Sequence, residues 1–419
     1  MMGKLAPVPG EAARRSARIG APGGPRCATE NPCGKAQPQD DVDPRINQTF
    51  PICVYVWTMT QDRTMAGFRF QSLQAGRGLA ALAVVLYHAA DTITLPKYIG
   101  PDPTGLLAYF LPGHAGVHYF FVLSGFVIYH VHGHDRGAPA FSNFIWKRTT
   151  RLVPALWVWL AVVTTLLYLQ PGAAAEAFGL RSVLQAFSLI PVEQEVVLKV
   201  EWTLRHEMLF YVLYALYVLY RPLGAIVLST WFAGSLISHL ADASFPYDFV
   251  FSPFHLLFLS GIGIAHVLSR RRIPAPHMMV AAGFVALAVA WLRDPGYRVD
   301  GLNGQLIGFG AGATLMIAGL TELDRQHRLP YSVLLGHLGD ASYSLYLTNL
   351  TIISASCKVA TIVNGKYGLP PLVWFCAAVA TSVAFGWLFH RYVERPLLRM
   401  LQRGRGHAQR NREALVRWI

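Results

Sequence analysis

Apolar residues gather in long windows along this chain, and the polar and basic residues between them are short interruptions. Ten windows read as helices, over about 76–95, 115–131, 153–169, 203–220, 223–240, 250–269, 276–292, 302–320, 338–363 and 370–391. A bilayer span needs about 20 predominantly apolar residues. The second window is short for this and the ninth is long. A further segment, Phe178 to Leu189, reads as an interfacial helix. The pattern predicts an all-α fold, a polytopic membrane helix bundle of about ten transmembrane helices.

The windows also divide the chain. Residues 1–64 are rich in Pro, Gly, Arg and Ala and lack the apolar core of a signal peptide. Their one apolar stretch, Pro51 to Trp57, is too short to span. We expect 1–64 to be a disordered or mis-assigned leader, with Met59 or Met65 as alternative starts, 65–400 to be the membrane domain, and 401–419 to be a basic cytoplasmic tail.

Composition agrees with a membrane protein. The chain is 53% hydrophobic and 14% charged, against about 25% charged in soluble domains. Mean hydropathy is +0.36. The net charge of +13 is therefore read as topology rather than as nucleic-acid binding. Lys147, Arg148, Arg151, Arg221, Arg270, Arg271, Arg272, Arg325 and Arg328 fall in alternate loops, on the side of the Arg-rich tail. Cytoplasmic loops concentrate Lys and Arg, so both termini are expected inside. The five cysteines, Cys27, Cys33, Cys53, Cys357 and Cys376, have no metal-ligand spacing, and no metal is expected.

Against this background the ionisable residues inside windows stand out, because they are costly there and usually face a protein interior. Arg77 and His88 are eleven residues apart in the first window. Eleven steps of 100° end roughly 20° from three full turns, so both lie on one face, about 16 Å apart along the axis. A snorkelling Arg and a core His are the plainer reading. Glu207 enters the fourth window beside Glu201, Trp202, Arg205 and His206. Counting places it at the depth of His88, in the outer half; Asp91 is a rival partner for that ring. A structural ion pair with Arg205 or a neighbour is the plainer role for Glu207. Arg148 and Arg151 are three apart and share a helix face; Arg suits bidentate phosphate contact, while positive-inside anchoring also explains them. Ser124 and Gly125 are small residues suited to close helix approach. Asp340 and Ser342 can cap the ninth helix, and Tyr346 shares a face with Tyr343.

These segments, in this order, resemble the acyltransferase-3 family of bacterial membrane acyltransferases. The resemblance rests on Arg77-x10-His88, Phe120–Phe126, Arg148-x-x-Arg151 with Pro154, Trp202-Thr203-Leu204 with Glu207 and Phe210-Tyr211, Ser342–Leu347, and Glu394-Arg395-Pro396. It runs from about 68 to 400. Gln74 stands where many members have Asp and looks like the exopolysaccharide-acetylating branch. Asn349 stands where the late motif commonly has His.

The resemblance implies an O-acyltransferase of the bacterial inner membrane, moving an acyl group, acetyl first among them, from acyl-CoA to a hydroxyl of a cell-surface or exported glycan. No cofactor is implied beyond acyl-CoA as co-substrate, and the partners are the glycan acceptor, the bilayer and polysaccharide-synthesis machinery. His88 would be the general base, with Glu207 orienting it as the carboxylate does in hydrolytic triads. Arg77, Arg148 and Arg151 would hold the donor phosphates, and Ser124, Trp202, Tyr343 and Asn349 would support the site. A transporter or lipid-linked sugar flippase is the alternative, though it predicts inverted repeats and Arg77-x10-His88 has no second copy. A scaffold in a polysaccharide export complex is a third reading, which needs no buried charges. No motif falls in the leader, so a chain starting at Met65 is expected to insert and transfer acyl groups normally; loss of activity at normal expression would refute this.

Overall fold

The computed structural model describes residues 70–169, 179–193, 197–240, 244–293, 302–330 and 332–403. The leader and most of the basic tail lie outside the described residues. Among these residues there are helices and no strands. In chain order the helices are α1 (Gln71–Ile93), α2 (Ala115–His132), α3 (Gly137–Leu169), α4 (Leu180–Ser188), α5 (Glu201–Leu219), α6 (Arg221–Ile237), the single turn α7 (Tyr247–Val250), α8 (His255–Arg270), α9 (Pro276–Arg293), α10 (Gly304–Arg325), α11 (Val333–Asp340), α12 (Ser342–Tyr367) and α13 (Pro371–Phe389). The last continues through a π-helical turn, His390–Glu394.

A helix covers each of the ten apolar windows. Among the described residues, seven stretches are long and apolar enough to cross a membrane: Leu106–His132, Gly137–Leu169, Tyr247–Arg270, Pro276–Arg293, Gly304–Arg325, Ser342–Tyr367 and Pro371–Arg403. Three windows fall outside that group for a chemical reason or a length reason. Arg77, His88 and Asp91 interrupt α1, and Glu201, Arg205 and Glu207 interrupt α5; α6 is apolar but has only 17 residues. The outward faces are those of a protein solvated by lipid. On α9, Met278, Phe284 and Leu292 are 72%, 58% and 78% exposed, a pattern that hydrocarbon tolerates and water does not.

Local signals set several helix ends. Asn303 caps α10 by accepting from Leu306 N at 2.8 Å, and Ser332 caps α11 by accepting from Leu335 N at 3.3 Å. Gly368, at φ 61°, ends α12. Pro371 opens α13, where its missing N–H costs nothing.

Two boundaries differ from the sequence reading. The third helix starts at Gly137 rather than near 153, so Arg148 and Arg151 are on the helix and not in a loop before it. The polar stretch Lys147–Arg151 lies within the helix, and an apolar window starts only after it. The ninth window is two helices, broken at Ala341. Asp340 does not cap α12: no side-chain cap bond forms there, and Asp340 instead accepts from Gln74.

α1 is the hub. It packs against α2, α10, α11, α12 and α13, while α2 also meets α8, α10 and α5. The α2–α8 crossing is set by paired glycines. A Cβ on Gly125 would overlap the Phe258 carbonyl, and one on Gly261 would overlap the Val122 carbonyl. The two backbones touch there, as small residues allow in membrane interfaces. Gly125→Val should therefore lower stability by about 1–3 kcal/mol, the usual cost of overpacking. We expect a lower melting temperature in detergent, with Gly261→Val behaving alike. An unchanged melting temperature in both would refute the close crossing.

Candidate functional site

Five helices enclose a cavity of about 230 Å³. α1 contributes Arg77, α2 Ser124, α3 Arg148 and Arg151, α5 Glu207, and α12 Tyr343. These six are among the nine residues singled out from sequence. Tyr211, Ser342 and Tyr346 line it as well.

The groups in the cavity are unequally satisfied. Glu207 Oε1 accepts from Ser124 Oγ at 2.9 Å and from the Tyr211 hydroxyl. Tyr211 is one turn after Glu207, the i,i+4 spacing that makes helical neighbours, and that spacing was readable in the sequence. Ser124 therefore has a polar task while its neighbour Gly125 has the packing task. Arg77 Nη1 donates to Gln74 Oε1 at 3.3 Å, and Gln74 Nε2 donates to Asp340 Oδ1 at 2.6 Å. Gln74 thus relays between a cation and a carboxylate. Arg148 donates to His132 Nε2 at 3.0 Å and lies over the rings of Phe144 and Tyr211 at 5.8 and 5.9 Å. Tyr343 donates its hydroxyl to Leu152 O at 2.7 Å.

Among the described residues, none of the three arginines is in an ion pair. Ser342 Oγ and Arg148 Nε are buried without a hydrogen-bond partner. Buried polar groups are nearly always satisfied, and an unpaired buried charge is expensive. The cavity has one carboxylate, Glu207, against three guanidinium groups. Its chemistry is that of a receptor for an anion with several oxygens.

His88 is elsewhere. Its Nδ1 is 2.6 Å from Asn349 Oδ1, and it does not line the cavity. The expected pairing of Glu207 with His88 is corrected here, and so is their common depth. Counting takes Glu201-Trp202 as the outer entry of the fourth helix. Glu201 is instead 0% exposed and pairs with Arg205 at 2.8 Å, so α5 starts already inside the bundle. Glu207 consequently reaches the level of Arg77, and α5 packs on α6, α3 and α2 rather than on the His88 end of α1. Arg205 does form a structural ion pair, but with Glu201. Asp91 is exposed at the end of α1 and is not the partner of His88 either.

Asn349 fixes the His88 tautomer. Its Nδ2 donates to Leu345 O at 3.1 Å and to Tyr346 O at 2.7 Å. Both amide hydrogens are thereby used, so Oδ1 faces His88 and can only accept. The ring proton sits on Nδ1, and Nε2 keeps its lone pair. Trp202 is a packing residue beside the site, in ring contact with Phe121, His206 and Phe254. Two other motif residues meet across the bundle: Ser344 Oγ donates to Glu394 Oε2 at 2.6 Å, and His390 Nδ1 lies 2.8 Å from the same oxygen.

The family model described as an acyltransferase domain, acyltransferase-3, matches residues 70–391. The chain belongs to this family. It is also similar to the exopolysaccharide production protein ExoZ of Rhizobium meliloti (strain 1021), 30% identical over 320 residues that cover 72% of this chain and 93% of that protein. No solved structure matches. Membership selects an acyltransferase over a transporter or scaffold as the reading of the buried charges. An imidazole with one ring nitrogen bonded and the other bare has the chemistry to accept a proton. Asn349→Ala should reduce the acyl-transfer rate about 10-fold or more through loss of that orientation, with donor KM little changed. A rise in donor KM at constant kcat would refute the orienting role.

Proposed function

We propose that this acyltransferase moves an acetyl group from acetyl-CoA to a hydroxyl of an exported polysaccharide, in the bacterial inner membrane with both termini cytoplasmic. The observation that carries the donor half is the cavity of Arg77, Arg148 and Arg151, with Ser342 Oγ spare at its wall. Acyl-CoA presents phosphates, and the three arginines supply the fork-shaped donors that phosphate oxygens accept. The acceptor half is supported by the similarity to a protein of exopolysaccharide production. The basic residues at one set of helix ends support the orientation, which turns the donor cavity toward cytoplasmic acyl-CoA. Partners in polysaccharide synthesis would supply the acceptor.

His88 is the catalytic residue of this reading. It lies about 16 Å along α1 from Arg77, so a donor held at the cavity extends its acyl arm along the helix toward the ring. The acceptor oxygen attacks the thioester carbonyl carbon while its proton passes to His88 Nε2. The resulting imidazolium is oriented by Asn349 through Nδ1. Collapse of the tetrahedral adduct breaks the C–S bond, and the CoA sulfur leaves with the proton returned by His88. Glu207 Oε1 is already occupied by two donors, Ser124 and Tyr211. Its part is to balance the arginines when no donor is bound.

Transfer of label from acetyl-CoA to a glycan by the purified protein tests the activity; absence of transfer, with surface glycans identical by mass spectrometry with and without the gene, would overturn it. His88→Ala should cut transfer about 100- to 10,000-fold, the usual contribution of a general base, while insertion persists. Arg148→Ala or Arg151→Ala should raise the KM for acetyl-CoA about 10-fold or more, since one charged hydrogen bond contributes about 1.5–3 kcal/mol. Unchanged donor KM in both variants would reduce these residues to topology anchors.

A further inference from the structure

One cavity arginine is held by a device outside the family motifs. His132, the last residue of α2, is 1% exposed. Its Nδ1 is 2.7 Å from Asp135 Oδ2, and its Nε2 is 3.0 Å from Arg148 Nη2. A guanidinium has donors and no acceptor. The Arg148 contact therefore requires a bare lone pair on Nε2. The ring proton must then be on Nδ1, where it donates to the Asp135 carboxylate. The two bonds define each other: the acid selects the tautomer, and the tautomer supplies the acceptor. A second proton on the ring would set Nε2–H against the guanidinium and break the contact.

The surroundings make the arrangement stiff. Asp135 is folded back on His132 by its own backbone, its N–H donating to His132 O at 3.1 Å. Phe144 meets the His132 ring edge-on at 5.0 Å and also lies under the Arg148 head. Arg221, opening α6, donates to the Gly133 carbonyl and pins the end of α2. Arg148 in turn lines the cavity with its Nε still unpartnered. With one Nη fixed on His132, the orientation of the planar head is set, and so is the direction of the N–H groups that remain.

We infer that His132, locked by Asp135, is a positioning residue for Arg148, and acts through it on the phosphate end of the acyl donor. The inference rests on the reading of Arg148 as a donor contact. It assigns His132 no contact with substrate and no proton transfer.

A double-mutant cycle on the purified full-length protein tests it, with KM for acetyl-CoA, kcat and CoA binding as readouts. His132→Ala should raise KM and weaken CoA binding roughly 3- to 10-fold, in the range of one hydrogen bond to a charged group, with kcat little changed. The double variant His132→Ala/Arg148→Ala should be no worse than Arg148→Ala alone, because groups acting through one contact are not additive. His132→Gln, whose carbonyl can accept from Arg148, should recover part of the loss. Asp135→Asn, at a position 35% exposed, should shift KM the same way by less, and it serves if His132→Ala does not fold. Full additivity in the cycle, or a fall in kcat at constant KM, would overturn the inference while leaving the donor site standing. An unchanged KM in Arg148→Ala would overturn both.

Discussion

Positive charge without negative partners, placed inside a membrane bundle, is the constraint on which the rest of this protein depends. Each guanidinium taken out of water is expensive unless something returns its hydrogen bonds. The chain meets the cost piecemeal. Arg77 leans on Gln74, whose amide passes the polarity on to Asp340. Arg148 leans on a neutral His and two aromatic faces. Glu207 supplies the one carboxylate of the cavity and is itself steadied by Ser124 and Tyr211. None of these partners cancels a charge outright. The site stays electropositive and leaves Ser342 Oγ buried without a partner, the feature on which the proposed donor site rests.

The same logic separates two kinds of polar chemistry along α1. At the Arg77 level the groups are charged and the wall has room for a ligand. At the His88 level the groups are neutral, and a single short contact to Asn349 sets the ring. A neutral amide is the economical orienting group at that depth. A carboxylate beside His88 would have required its own compensation, as Glu201 does through Arg205. Asn349, which departs from the usual residue of its motif, is therefore chemically coherent: its two N–H groups are consumed by its own helix, and its oxygen is left for the imidazole.

Helix crossings determine how these levels meet. α1 packs against five other helices, so most of what it carries meets protein. The glycine contact seats α2 against α8, while the adjacent Ser124 donates to Glu207 on α5. The break at Ala341 has a comparable effect. By ending α11 at Asp340 and starting α12 at Ser342, it turns Asp340 toward Gln74 and leaves Ser342 and Tyr343 on the cavity wall.

Sequence determined the all-α membrane class, the ten helical windows and six of the residues that line the cavity, because each depends on local composition and on helical spacing. Apolar runs in a low-dielectric solvent must be helices, and Arg148 and Arg151 share a face wherever their helix goes. The pairing of side chains between helices was not legible. It depends on where a helix starts in depth and which neighbour it touches, and neither quantity is written in a window of hydropathy. Counting along the chain pairs Glu207 with His88 because Glu201 resembles a surface residue, and only its burial against Arg205 moves α5 inward. His132 had no motif to announce it, since its role exists only where the turn after α2 meets Arg148 on α3. Tertiary structure decided these matches because a hydrogen bond is a matter of ångströms between elements, whereas the sequence sets only the order of residues within each one.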